Sequence, residues 1–276
     1  MIRVARKNRL EISRIVRIGA YLTDGTDRVF LPTEELPEGK AVGDELEVFV
    51  YTDTHDRLTA TLREPYIRLG GFAALEVIDE APHGLYLDWG LDKDLLLPER
   101  EQSAPHRVGD TVVVCLTVDR RSNRPVAHSR LGRYFDYEPR LHSGEEVQVL
   151  VYGFHERGAQ VVVNGRYRGL VYANETYERL SVGDERPAWV KEVREDGRVD
   201  LSLQRMGSRG NVDAQERILA ALHEADGFLP LHDKSEPEAI RRMLQMSKKA
   251  FKRGLGGLYK AKKVRLDDDG VRLIES

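Results

Sequence analysis

At 276 residues and 31.4 kDa the chain is long enough for two or more folding units of roughly 100–200 residues each. Its 41% hydrophobic and 32% charged content, with mean hydropathy −0.48, leaves no apolar run of about 18 residues that could span a bilayer, and residues 1–16 alternate basic with isolated apolar side chains where a secretory signal needs a continuous apolar core. Cys115 is the single cysteine and can close no intramolecular disulfide, so the expected compartment is the reducing cytoplasm, with no membrane partner.

Charge divides the chain. Residues 205–276 hold 15 Lys and Arg against 11 Asp and Glu, whereas residues 1–204 hold 28 against 35, a balance of −7. Along that acidic portion a pattern recurs. Gly19-Ala-Tyr-Leu22, Phe30-Leu-Pro32 and Val42-Gly-Asp44 return as Gly84-Leu-Tyr-Leu87, Leu96-Leu-Pro98 and Val108-Gly-Asp110, and again as Gly158-Ala-Gln-Val161, Leu170-Val-Tyr172 and Val182-Gly-Asp184. Pro32, Pro98 and Tyr172 each precede the Gly of the Gly-Asp pair by 11 residues. Successive copies 66 and 74 residues apart are too long for a helical solenoid unit and long enough to fold separately.

Each copy reads as a small β domain. In the third, Val147, Val149 and Val151 alternate, a turn at Gly158 leads into Val161–Val163, and the run from Ala188 to Val193 meets a turn at Asp196-Gly197 before Val199–Leu203. About five short antiparallel strands suit a partly open Greek-key barrel of the OB type better than a sandwich, which needs about seven. The expected domains are 1–66, 70–132 and 143–205.

Repeat three, with Gly158-Ala-x-Val-x-Val163, Gly169-Leu-Val-Tyr172, Val182-Gly-Asp184 and Gly197-Arg-Val-Asp-Leu-Ser202, resembles the S1 RNA-binding domain. The resemblance implies that aromatic residues on strands two and three, and a His or aromatic after Gly-Leu-Val, stack on bases. Tyr172 holds the latter position. Tyr21 and Tyr86 hold the strand-three aromatic position in repeats one and two, with His83 beside Tyr86, while Arg157 and Gln160 stand where S1 domains carry Phe. Stacking contributes roughly 1–3 kcal/mol per base and tolerates any sequence, because every base has a π-face. The competing reading of such a Tyr is a ring packed on its strand with the hydroxyl turned to water.

Beyond residue 211 the period becomes helical. Ile218, Leu219, Leu222 and Ala225 mark a first helix with Asp213 as N-cap and Gly227 at its end. Ser235 is the expected cap of a second helix with Pro237 in its first turn and Ile240, Met243 and Leu244 inward. Ser247 caps a third, whose stripe is Phe251, Leu255, Leu258 and Tyr259 and which either stops at Gly254, Gly256 and Gly257 or approaches another backbone there. A hairpin about the Asp267–Gly270 turn completes a winged-helix domain, 211–276. The expected fold class is thus multidomain, three all-β OB-fold (S1-like) barrels followed by an α+β winged helix.

Residues 241–265 carry ten cations and no Asp or Glu, which attracts phosphate by counterion release, although Lys and Arg also line ordinary solvated helix faces. Lys248, Lys249, Lys252, Arg253, Lys262 and Lys263 are the candidate phosphate contacts, beside Tyr21, His83, Tyr86 and Tyr172 as base contacts. Three S1-like repeats before a winged helix, with Ser247-Lys-Lys-Ala-Phe-Lys-Arg-Gly-Leu-Gly-Gly-Leu-Tyr-Lys260, Gly19-Ala-Tyr-Leu22 and Leu31-Pro32, resemble the conserved virulence factor B family of bacterial RNA-binding regulators. That resemblance implies single-stranded RNA as partner and a post-transcriptional role.

No motif of a metalloenzyme, a nucleotide-cradling loop or a catalytic cysteine is present in the sequence, so no enzymatic activity, cofactor or metal is expected. Asp267, Asp268 and Asp269 read as turn residues, Cys115 as a buried thiol, and the rings of Tyr134, Phe135 and Tyr137 as glue between domains or an added stacking surface. Two alternatives stand. One is a DNA-binding regulator acting through the winged helix. The other is a protein-interaction scaffold built from degenerate repeats, which the acidic balance of residues 1–204 favours. Nothing in the sequence selects an oligomeric state.

Overall fold

Alternating apolar side chains put one face of each strand inside a barrel and leave the other outside. The computed structural model describes residues 1–55, 57–173, 179–205 and 207–274, the side chains of 207–210 excepted; Asn174-Glu-Thr176, a glycosylation triplet by sequence, lies outside them. The chain divides into two units, residues 1–135 and 136–276.

In the first unit β1 (Arg6–Val16), β2 (Gly19–Thr23), β3 (Arg28–Pro32), β4 (Glu45–Thr52) and β5 (Leu58–Thr61) close a barrel in the order β1-β2-β3-β5-β4. β6 (Phe72–Ala81), β7 (Gly84–Leu87), β8 (Leu95–Pro98), β9 (Thr111–Val118) and β10 (Pro125–His128) repeat the plan as a sheet β10-β9-β6-β7-β8, whose end strands lie side by side without closing the ladder. In the second unit β11 (Glu146–His155), β12 (Gly158–Val163), β13 (Tyr167–Tyr172), β14 (Glu185–Val193) and β15 (Val199–Ser202) close a second barrel in the first one's order. These are OB-type barrels.

The recurring residues are the ones the barrel needs. Gly19, Gly84 and Gly158 open β2, β7 and β12 at φ +154°, +151° and +147°, and a Cβ there would overlap the carbonyl of Leu31, Leu97 or Val171 on the next strand. The Gly-Asp pair is a latch. Gly43, Gly109 and Gly183 donate N–H to the carbonyls of Ile12, Val77 and Val151 at 2.9, 2.8 and 2.8 Å, and each of those residues donates back to the carbonyl of the following Asp. All three acceptors directly precede a bulge in the first strand of their repeat.

The two repeats of the first unit share a core. Phe49 and Tyr51 point outward from β4 and meet the edge of Trp89 at centroid distances of 6.0 and 6.2 Å, with Ile67 and Leu91 packed around them. Trp89 is 2% exposed and donates Nε1–H to the Lys93 carbonyl at 2.6 Å. Burial pushes the Tyr51 phenol up to about 12. Phe135 of the connector stacks on Phe72 at 5.2 Å, so this ring packs against the second repeat.

The C-terminal domain comprises α1 (Gly207–Glu224), β16 (Phe228–Leu229), α2 (Pro237–Leu244), α3 (Lys248–Lys260), β17 (Val264–Asp267) and β18 (Gly270–Leu273). Three helices on a β16-β18-β17 sheet make a winged helix. Ser247 caps α3 as expected, accepting from the Ala250 N–H at 3.0 Å. Two other caps differ from expectation. α1 begins at Gly207, six residues before Asp213, which therefore lies inside the helix and does not cap it. Ser235 is buried and its Oγ accepts from the His232 N–H at 2.9 Å in the preceding turn, which leaves Glu236 at the start of α2. Met243 and Tyr259, expected inward, are exposed.

α3 runs through its glycines. A Cβ on Gly254 would stand 3.0 Å from Ala214 Cβ and Ile218 Cδ1, so this residue sets the close crossing of α1 and α3; a Cβ on Gly256 would meet open space. Gly256→Ala should therefore raise unfolding stability by about 0.5–1 kcal/mol, whereas Gly254→Leu should lower it by roughly 1–3 kcal/mol. Denaturant titration of the two variants checks this, and equal effects would remove the packing role of Gly254.

Candidate nucleic-acid interface

A strand starting at each recurring glycine places its third residue on the outer barrel face, opposite a residue of the next strand. The pairs are Tyr21 with Phe30, Tyr86 with Leu96, and Gln160 with Leu170. In the first barrel Tyr21, 38% exposed, lies 5.4 Å from Phe30, and the groove above them is lined by Arg14, Arg28, Asp53 and Arg57. In the second repeat Tyr86 is half-buried, with its hydroxyl 2.8 Å from His83 Nε2 and the two rings edge to face. Arg100 and the β9–β10 hairpin residues Arg120, Arg121 and Arg124 line the same groove of about 1240 Å³, together with Asp94, Glu101 and Asp119. This volume exceeds the roughly 300–1,000 Å³ of small-molecule pockets and suits an extended ligand.

One chain segment borders both grooves: Asp53 lines the first, Thr52 and Thr54 line the second, and Lys93 of the second donates to the Asp53 carbonyl at 2.7 Å.

The third barrel is different. Gln160 and Leu170 bring no ring, and Arg157, Arg168, Arg194 and Arg198 line a groove of about 130 Å³ with Asp200. Tyr172 stands outside that lining: its hydroxyl donates to Asp200 Oδ2 at 3.1 Å and accepts from Arg194, and Lys191 lies 5.5 Å from its ring centre. The hydrogen bond from Arg194 to Asp200 raises the already high guanidinium pKa and keeps the charge in place.

On the winged helix, Lys249 and Lys252 are exposed on α3 and Lys248 is half-buried with its Nζ on the Lys234 carbonyl at 3.2 Å; Lys262 and Lys263 are exposed just beyond the helix. Arg253 turns the other way, into a crevice beside Asp213, Glu216 and Trp189. Tyr259, 56% exposed, belongs to the helix surface that carries Lys252. The sequence signals for Phe30 and Arg120-Arg121-x-x-Arg124 were legible as a cross-strand aromatic partner and a basic hairpin tip, but charge summed over 204 residues concealed the second.

A family model described as a CvfB-like winged helix domain matches residues 216–273, and one described as S1 domain matches residues 6–63 and 69–127. The protein YitL of Bacillus subtilis is 34% identical over 265 residues, covering 92% of this chain and 88% of that one, and conserved virulence factor B of Staphylococcus aureus is 27% identical over 241 residues, covering 84% and 80%. The chain belongs to the conserved virulence factor B family. A solved structure titled as a multidomain protein with nucleic acid binding domains from Streptococcus pneumoniae aligns over 98% of both chains at 25% identity and a TM-score of 0.48. S1 and winged-helix domains are nucleic-acid-binding modules, and this member of the family carries both.

Other reactive groups are tied into the scaffold. Hydrogen bonds from Arg272 hold the carboxyls of Asp267 and Asp269 below the usual carboxylate range, and no group of three metal-ligating side chains occurs among the described residues. Cys115 is 1% exposed in β9, and burial pushes its thiol up to about 12. A thiol-specific reagent at pH 8 should leave the native chain unlabelled and label it once unfolded; rapid native labelling would show that β9 opens.

Proposed function

We propose that this chain is a non-enzymatic RNA-binding protein that acts after transcription by holding single-stranded RNA on its barrel grooves and on the basic face of its winged helix. The observation that carries this reading is the pair of grooves in the first unit, one lined by Tyr21 and Phe30 with Arg14, Arg28 and Arg57, the other by Tyr86 and His83 with Arg100, Arg120, Arg121 and Arg124. Bases of a single strand are free to stack on such rings, whereas duplex bases already stack on one another, which favours an unpaired strand over the DNA alternative. The scaffold alternative rests on the acidic balance of residues 1–204; against it, the groove of Tyr86 and His83 is lined by Arg100, Arg120, Arg121, Arg124 and Arg133 with only Asp94, Glu101 and Asp119 as acidic neighbours. Lys248, Lys249, Lys252, Lys262 and Lys263 supply phosphate contacts without reading sequence. Arg253 contributes from the crevice beside barrel three, and Tyr172 acts through Asp200 and Arg194.

The two kinds of contact separate by salt. Tyr21→Ala and Tyr86→Ala should each weaken binding of a fluorescent unstructured RNA by roughly 1–3 kcal/mol at every salt concentration. Replacing the six cations by Ala should flatten the slope of log K against log salt by about 0.7 for each phosphate no longer neutralised. Anisotropy titrations across a salt series measure both; ring variants with wild-type affinity, or a cation variant with an unaltered slope, would refute the corresponding assignment.

A further inference from the structure

The third barrel's groove differs from its two counterparts in size and in chemistry. At about 130 Å³ it is several-fold smaller than the grooves of the first unit, at about 600 and 1240 Å³. No Phe, Tyr or Trp lines it; its walls are Leu170, His155 and the guanidinium groups of Arg157, Arg168, Arg194 and Arg198. A groove without those rings and crowded with cations suits the backbone of a nucleic acid rather than its bases. On its floor lies Asp200, 7% exposed. Its Oδ2 accepts from the Tyr172 hydroxyl at 3.1 Å and from Arg194 at 2.8 Å, which fixes the carboxylate, while its buried Oδ1 has no hydrogen-bond partner among the described residues. The matching residues of the first two repeats are Thr59, opposite Phe30 on the parallel seam as Asp200 is opposite Leu170, and Val126 on β10. The carboxylate is particular to this barrel.

An ionised carboxylate accepts hydrogen bonds and donates none. A phosphodiester likewise only accepts, and deoxyribose within a strand offers no donor. The one donor on a nucleic-acid backbone is the ribose 2′-hydroxyl. We propose that Asp200 Oδ1 accepts the 2′-hydroxyl of a bound strand whose neighbouring phosphates lie on Arg157 and Arg168, so that the third barrel selects RNA by its sugar. Deoxyribose in the same place leaves the buried oxygen unsatisfied next to incoming phosphate charge. This inference rests on the RNA reading above and assigns the residue that enforces it.

The test uses the full chain and one short unstructured sequence made as RNA, as DNA and as RNA with 2′-O-methyl sugars. The unaltered protein should bind the RNA about ten-fold or more tightly than either other strand, the worth of a hydrogen bond to a charged acceptor. In Asp200→Ala that preference should collapse towards one, whereas Arg157→Ala and Arg168→Ala should weaken all three strands together. Equal binding of RNA and 2′-O-methyl RNA by the unaltered protein, a comparison that needs no variant to fold, would overturn the sugar assignment while leaving RNA binding intact. So would an Asp200→Ala protein, shown folded by its thermal transition, that loses affinity equally for all strands, since the donor would then belong to a base. A chain that binds none of the three would overturn both readings.

Discussion

Three buried rings make the first unit one body. Phe49 and Tyr51 leave the first barrel on its outer side, where a barrel strand ordinarily meets water, and bury themselves against the edge of Trp89 in the next repeat. Two five-stranded modules joined by a short connector would otherwise hinge freely. Here the indole nitrogen is spent on the Lys93 carbonyl and the Lys93 ammonium on the Asp53 carbonyl, so the packing contact continues into a polar one that reaches the groove. The joint fixes the groove of Tyr21 relative to that of Tyr86. Without it, the two grooves would be carried on modules that move independently.

The architecture was readable from the sequence because the residues that recur are those with no substitute. Gly19, Gly84 and Gly158 recur since a side chain there would strike the neighbouring carbonyl, and the Gly-Asp pairs recur since each turn must present an N–H to the first strand. Residues on the outer barrel face between them obey no such constraint. Tyr21, Tyr86 and Gln160 occupy one position in three copies and are free to differ, because the outer face of a barrel asks nothing of them for folding. The same freedom turned the third face from rings to arginines and placed a carboxylate in it.

What was not readable depends on distance in three dimensions. Asp213 and Ser235 have the composition of helix caps, yet α1 starts six residues before Asp213 and Ser235 closes a turn instead. Tyr259 fits a helical stripe by spacing, but its ring is exposed, whereas Gly254 of the same helix faces Ala214 and Ile218 of α1. The partnering of Asp200 by Tyr172 and Arg194 joins three strands and could not be inferred from any local pattern.

The paired hydrogen bonds between each Gly-Asp turn and the first strand have a consequence for how the chain reaches this state. They join points about 30 residues apart, Ile12 with Gly43 and Asp44, Val77 with Gly109 and Asp110, Val151 with Gly183 and Asp184. Each module thus carries its own clasp, made between its first and fourth strands and owing nothing to its neighbours. Loop-closure entropy grows only slowly with length, so each clasp costs about the same to make, and the chain solves one topological problem three times over short stretches instead of one problem over its whole length.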